Sequence, residues 1–378
     1  GVLIAGAWRL PSDVNTIAAA RKWGLLSYQV ASLGNLFVQP PAPAPLDPTA
    51  VAEEEHEVEQ LVGDQPVERL ATFDVGEFAG ANLIVIQVEA LQAGLIDSAV
   101  SAETIVPNLS AFASESWYFP RAYSQISRGN TSDAEFVFNT SLYPPPQEAA
   151  SVRWGDRVIP SLPRLLAEHG YHSVTFHANI ARFWNRANLY TALGFDRYYD
   201  RVDIGWTPKW HWGSSDEVVF EKGLETLLKL RERGEPLYAQ FITMTSHHPF
   251  NYPPEDERPY QPPAELAGTL TGDYLSSISY ADAAVGGFLA DLRESGLWDE
   301  SVVVVYGDHF GVRRPESDAE AEVLSELFGG VYNITDVLRV PFIVHLPGQT
   351  EGHVIEDTVG QVDMLPTIAD PLGVGLDG

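Results

Sequence analysis

Residues 301–309 read "SVVVVYGDH": four valines and a tyrosine, then a glycine, an aspartate and a histidine. A short β-branched run that ends in a turn residue reads as a buried strand. Four other stretches share the pattern: "NLIVIQVEAL" (82–91), "HSVTFHA" (172–178), "PLYAQFITMT" (236–245) and "LRVPFIVHLP" (338–347). Amphipathic segments lie between them. Residues 272–295 place Leu275, Ile278, Ala281, Val285, Phe288, Leu289 and Leu292 on one helical stripe, and "IPSLPRLLAEHGY" (159–171) and "DEVVFEKGLETLLKLRERG" (216–234) are similar. Strands alternating with helices predict an α/β fold, a mostly parallel central sheet sandwiched by helices with a smaller C-terminal subregion. Ligands of such sheets bind beyond the carboxyl ends of the strands.

Polar residues at those ends are therefore the candidates. Glu89 follows one strand, Asp308 and His309 another, His247 and His248 a third. A carboxylate, an Asp-His pair and a threonine hydroxyl make an oxygen-rich set for Mn²⁺ or Mg²⁺, and the single nitrogen favours Mn²⁺. Taken singly, Glu89 also reads as a helix cap and "GDH" as a tight turn. Their joint placement at strand ends favours a site.

"SRGNTSDAEF" (127–136) poses a second choice. Asn130 or Thr131 suits a helix N-cap, with Asp133 and Glu135 near its positive end, yet Thr131 is also a candidate nucleophile. In "FHANIARFWNR" (176–186), His177 ends a strand and Arg186 follows Phe183 and Trp184. Arg186 reads as a solvent-facing arginine or as an anion clamp, because a guanidinium fork suits phosphate oxygens. Gathered with Arg128, His177, His247 and His309, it would suit a phosphoryl group beside a cation.

Composition narrows the classes. The 378 residues carry 45% hydrophobic side chains, enough for a large core, and a formal charge of −29 that argues against nucleic acid. No apolar run reaches the length of a membrane span. With no cysteine, disulfides, thiolate catalysis and cysteine-ligated zinc are excluded. Residues 1–75, with the proline-rich "VQPPAPAPLDP" (38–48) and the acidic "AVAEEEHEVEQLVG" (50–63), read as an N-terminal helical and linker arm; residues 76–378 read as the catalytic domain. "GVLIAG" and "GVGLDG" at the two ends read as cut points.

Seven ordered motifs resemble the lipoteichoic acid synthases and related glycerol phosphate transferases of the alkaline phosphatase and sulfatase superfamily: "VIQVEALQ", "TSDAEFVFNTSLYP", "FWNR", "LGFDRYYD", "TMTSHHPF", "VVYGDHFG" and "GQVDMLPTI". The likeness runs from about Asn82 to Pro371, and weakly into the arm at "KWGLLSYQ". It implies that Thr131 is the nucleophile and can cap its helix as well, and that Glu89, Thr131, Asp308 and His309 surround one Mn²⁺ or Mg²⁺. It implies that His177, Asn179, Trp184, Arg186 and His247 bind the glycerol phosphate group, with His247 also a catalytic proton carrier.

The implied donor is phosphatidylglycerol, losing diacylglycerol, and the acceptor a glycolipid or polyglycerolphosphate. The catalytic domain would work at the outer face of the cell membrane, following a membrane region or released by proteolysis. Asn179 departs from the aspartate of those synthases, and the sulfatase motif of cysteine or serine before x-P-x-R is absent. The alternatives are a phosphodiesterase, phosphatase or sulfatase-like hydrolase of the same superfamily, and a non-catalytic binding module. The last would have broken metal ligands, yet Glu89, Thr131, Asp308 and His309 are all present.

Overall fold

The computed structural model describes residues 73–206 and 213–376. The arm expected over residues 1–75 lies outside them apart from its last three residues. Among the described residues no helix is long and apolar enough to cross a membrane.

All five expected strands form, within one nine-stranded sheet. The strands are β1 (Asn82–Val88), β2 (Trp117–Tyr123), β3 (His172–His177), β4 (Arg197–Tyr199), β5 (Leu237–Ile242), β6 (Ser301–Gly307), β7 (Arg339–His345), β8 (His353–Val354) and β9 (Val359–Gly360). Their order is β4-β3-β5-β1-β6-β7-β2-β8, and β9 pairs with β2. β4, β3, β5, β1 and β6 are mutually parallel; β7 runs against both β6 and β2. The C-terminal subregion thus adds its strands to the same sheet.

Strand β2 was not anticipated. Its sequence "WYFPRAY" interrupts the apolar run with Pro120 and Arg121, and the pairing with β7 shifts register between Phe119 and Ala122. Proline has no N–H to donate, so it sits where the ladder is already irregular.

The helices of eight residues or more among the described residues are α1 (Pro107–Ser114), α2 (Thr131–Thr140), α3 (Arg186–Leu193), α4 (Asp216–Arg231), α5 (Leu270–Glu294), α6 (Asp318–Leu327) and α7 (Met364–Leu372). Because side chains alternate along a strand, Ile84, Ile86, Val303 and Val305 meet α1, α4, α5 and α6, while Leu83, Val85, Val302 and Val304 meet α2, α3 and α7. All seven residues of the α5 stripe are buried. The first face is knitted by aromatics: Phe241 stacks on Phe176 at 4.7 Å and meets Phe288 at 4.8 Å, and Phe288 stacks on Phe220 at 4.6 Å. Such pairs add to their area burial.

Parallel alignment carries the carboxyl ends of β1, β3, β5 and β6 to one edge. Two successive reversals, β6 to β7 and β7 to β2, bring the end of β2 there too. Removing the centre of the aromatic stack should be expensive: Phe241→Ala is expected to lower unfolding free energy by about 3–5 kcal/mol. Urea denaturation measures this, and a loss below about 1 kcal/mol would show that this face does not hold the sheet.

Candidate active site

Five chain segments converge at that edge. The loop after β2 enters α2 through Asn130, whose φ of 44° and ψ of −113° lie outside the regions an asparagine prefers. The Asp133 carboxylate holds this turn, accepting the N–H groups of Ser127 (3.0 Å), Gly129 (2.7 Å) and Ala150 (2.9 Å). Gly129 is required there, since an added Cβ would lie 2.3 Å from Asp133 Oδ1. Beneath the turn, Gln87 Nε2 donates to the Thr131 carbonyl at 3.1 Å, and Tyr306 donates to Gln87.

Thr131 opens α2, and its hydroxyl does not cap it. Asn130 occupies the cap position without a side-chain capping bond, and Thr131 Oγ1 turns to Glu89 Oε2 at 2.8 Å, with His309 Nε2 at 3.3 Å. The expected double role of this hydroxyl is corrected accordingly. Thr131 is the first residue inside the helix rather than its cap, and its hydroxyl bonds to Glu89 instead of to a helix amide.

Glu89, Asp308 and His309 bring one donor atom each within 4.8 Å of the others. His309 Nε2 lies 3.3 Å from Glu89 Oε1 and 3.4 Å from Asp308 Oδ2. Asp308 Oδ1 accepts from the Ala90 and His309 amides, both at 2.7 Å, whereas Oδ2 is buried and accepts no hydrogen bond. His309 Nδ1 faces the Phe310 carbonyl at 2.9 Å, which places one ring hydrogen there, so that loss of a second proton would leave Nε2 as the lone-pair donor. A carboxylate oxygen that accepts no hydrogen bond, a second carboxylate and an imidazole nitrogen, all turned toward one point, fit a divalent cation.

The backbone around this cluster is pinned. Thr243 Oγ1 accepts the Glu89 amide at 2.9 Å, Ser246 donates to the Glu89 carbonyl at 2.6 Å, and Gln361 Nε2 donates to the Asp308 carbonyl at 2.8 Å. Gln361 Oε1 takes the Gln125 amide at 2.8 Å, so the β2 loop and the β6 end share one side chain.

Electrostatics tell the same story. Burial would raise the Glu89 carboxyl, but the charges of His309 and His247 and hydrogen bonds from His309 and Thr131 hold it well below the usual range. Burial and then the Glu89 charge push Asp308 upward. For His309 burial works downward, yet Asp308 and Glu89 outweigh it and lift the ring to about 10. Without a cation the cluster keeps a proton.

Above it opens a cavity of about 580 Å³, whose walls include Glu89, Thr131, Trp184, His247 and His309. Trp184 reaches it through a left-handed backbone, φ 54°. His247 Nδ1 lies 2.6 Å from the His248 carbonyl. His177, Asn179, Arg186 and Arg128 stand outside the lining. His177 is buried, with Nδ1 on the Ile242 carbonyl at 3.1 Å; burial and the Arg186 charge keep its pKa well below normal. The neutral ring therefore offers Nε2 as an acceptor, which suits a hydroxyl rather than a phosphate oxygen. Asn179 is buried, and its Oδ1 accepts the Ile180 amide at 2.7 Å.

Arg186 is buried rather than solvent-facing, and two of its nitrogens face Glu135. Arg128 is exposed. Phe310, Arg313 and Arg314 also line the cavity, and the sequence reading missed them. The signal was two adjacent arginines just beyond "GDH" in a strongly acidic chain.

Residues 81–374 match the sulfatase family. Over 303 residues the chain is 33% identical to the lipoteichoic acid synthase-like YvgJ of Bacillus subtilis, covering 79% of this chain and 48% of that protein. Over 304 residues it is 32% identical to a lipoteichoic acid synthase of Staphylococcus aureus, covering 78% and 45%. The chain thus spans about half the length of these curated relatives. Among solved structures, the lipoteichoic acid synthase LtaP from Listeria monocytogenes matches with a TM-score of 0.74 at 34% identity, covering 80% of this chain and 74% of that one. The Streptococcus pyogenes phosphoglycerol transferase GacH, in complex with sn-glycerol-1-phosphate, shares the fold at 18% identity with a TM-score of 0.54, covering 83% and 78%.

Cation binding here is expected to displace the proton that Asp308 and Glu89 hold on His309. Affinity for Mn²⁺ is therefore expected to rise by about tenfold per pH unit between about pH 6 and 8, with protons released to the buffer. Calorimetry in buffers of different ionisation enthalpy reads both; affinity independent of pH would remove the cluster as the ligand set.

Proposed function

The chain belongs to the sulfatase family, and from that premise we propose that it transfers glycerol phosphate from phosphatidylglycerol through a covalent glycerophospho-threonine at Thr131. The observation that carries this reading is the Thr131 hydroxyl, 2.8 Å from Glu89 Oε2 at the floor of a cavity, on the first residue of a helix. The relatives named lipoteichoic acid synthase support the substrate class. The absent cysteine- or serine-led motif weighs against sulfate esters.

Glu89, Asp308 and His309, with Thr131 Oγ1, would hold one Mn²⁺ or Mg²⁺, and the imidazole favours Mn²⁺. A cation there lowers the pKa of the threonine hydroxyl and offsets charge on the phosphoryl oxygens. Thr131 Oγ1 attacks phosphorus, the P–O bond to diacylglycerol breaks, and the hydroxyl proton leaves by way of Glu89 Oε2. His247, on the cavity wall, hands a proton to the departing diacylglycerol oxygen.

The N-terminal end of α2 faces the charge that develops at Oγ1. His177 Nε2 accepts, and Asn179 Nδ2 donates, toward the glycerol hydroxyls, while Trp184 covers the glycerol carbons. A hydroxyl of a glycolipid or polyglycerolphosphate acceptor then attacks the same phosphorus and gives its proton to the His247 ring left neutral by the first step, while the bond from phosphorus to Oγ1 breaks and Thr131 takes back a proton by way of Glu89 Oε2. A lipid donor places the reaction at a membrane surface, and its acceptor on the outer face.

Diacylglycerol release from fluorescent phosphatidylglycerol with Mn²⁺ tests this. Thr131→Ala is expected to lose at least about a thousandfold in kcat, and Thr131→Ser to keep measurable turnover. Near-normal turnover by the alanine variant would exclude the threonine nucleophile.

Asn179→Asp is expected to change the ratio of rates between phosphatidylglycerol and other phospholipid head groups by about tenfold. Its effect on the chemical step should be smaller, because only the hydroxyl contacts change from donor to acceptor. Equal losses on every head group would place Asn179 on the phosphate instead.

A further inference from the structure

Asp216 is a fully buried carboxylate that the chemistry above does not use. It opens α4, where an acid commonly answers the helix dipole. Yet among the described residues the hydrogen bonds it accepts come from two residues of the loop after β5. Oδ1 accepts the Met244 amide at 2.8 Å; the Thr245 amide lies 3.4 Å from Oδ1 and 3.3 Å from Oδ2, and the Thr245 hydroxyl donates to Oδ2. Burial pushes this carboxyl up to about 7, so an acid is a costly choice for the position.

The loop that Asp216 grips is the one that carries His247. Met244 and Thr245 begin a four-residue turn, closed by the His247 amide donating to the Met244 carbonyl at 3.1 Å. Beyond the turn, the amide of buried Phe250 donates to the His247 carbonyl at 2.8 Å, and its ring meets Tyr274 at 5.1 Å. His247 is thus held from both sides, by a polar anchor before it and an apolar one after it, with its ring on the cavity wall.

We propose that Asp216 is a positioning residue for proton delivery: it fixes the Met244–His247 turn, and so the place from which the His247 ring gives its proton to the departing oxygen. The bond from phosphorus to that oxygen breaks as the proton arrives. The inference rests on the reading of His247 as the proton donor, and adds the group that holds it. Thr243 and Ser246 on the same loop pin the Glu89 backbone, so a loosened loop could instead act through the cation. The test separates the two routes.

Two soluble diesters of glycerol phosphate serve, one with 4-nitrophenol as leaving group, which departs without a proton, and one with ethanol, which needs one. The quantity read is kcat/KM on the Mn²⁺-loaded chain, because it covers only the steps up to departure of the alcohol. Asp216→Asn keeps the size and one acceptor but turns an N–H toward the Thr245 amide. It is expected to lose at least about tenfold on the ethyl ester and to stay within about threefold of wild type on the 4-nitrophenyl ester. Mn²⁺ affinity and the unfolding midpoint should not change. His247→Ala should show the same split, and adding Asp216→Asn to it should cost no more. Thr245→Val removes one bond from the other side, should show the split in smaller degree, and serves if Asp216→Asn does not fold.

Equal losses on the two esters, weakened Mn²⁺ binding, wild-type kcat/KM on the ethyl ester, additive losses in the double variant, or no turnover of either ester by the wild type would each overturn the inference. The transferase reading fails separately: it falls if phosphatidylglycerol releases no diacylglycerol while the split between the esters stands.

Discussion

Two carboxylates at the ends of adjacent parallel strands are the constraint around which the molecule is organised. β1 delivers Glu89 and β6 delivers Asp308, with Val88 paired to Gly307 in register just before them. Both side chains are buried, and Asp308 keeps an oxygen that accepts no hydrogen bond. Such a concentration of negative charge needs a proton or a cation to exist inside a protein. His309 takes the proton and Thr131 the remaining hydrogen bond, so both reactive groups are drawn to the same point.

The fold makes this arrangement rigid. Val-rich β1 and β6 are covered on both faces, and the polar ends are tied by Thr243, Ser246 and Gln361. The reversed strand β7 lets β2 enter the sheet pointing toward the site, and the β2 loop then carries the chain into α2. The Asn130 backbone is strained where Thr131 must face inward, and the Asp133 turn holds it. Strain of this kind persists only where the surroundings over-determine it.

Apolar runs made β1, β3, β5, β6 and β7 legible, because strands buried on both faces leave no polar alternation to confuse with a helix. β2 escaped for the opposite reason, its run being broken by Pro120 and Arg121. The three-residue β4 and two-residue β8 and β9 are too short for any pattern. The strand-end rule singled out Glu89, Asp308, His309 and His247, which the fold brings together at the cluster and the cavity above it, and His177, which lies outside the cavity lining. It could not find Glu135, whose partner Arg186 lies 51 residues away, because a lone charge on a helix gives no hint that it is buried. The reading of Arg186 as solvent-facing failed for the same reason, and the capping role of Thr131 failed because local sequence does not reveal a carboxylate 42 residues distant.

The central claim is a bond between Thr131 Oγ1 and phosphorus. It is tested most directly by incubating the chain with phosphatidylglycerol and Mn²⁺, quenching in acid, and measuring intact mass followed by peptide mapping. The account predicts a single glycerophosphate adduct on the peptide that contains Thr131, lost on addition of an acceptor and absent from Thr131→Ala. Stoichiometric release of diacylglycerol with no adduct at any time, and with the alanine variant still active, would contradict it.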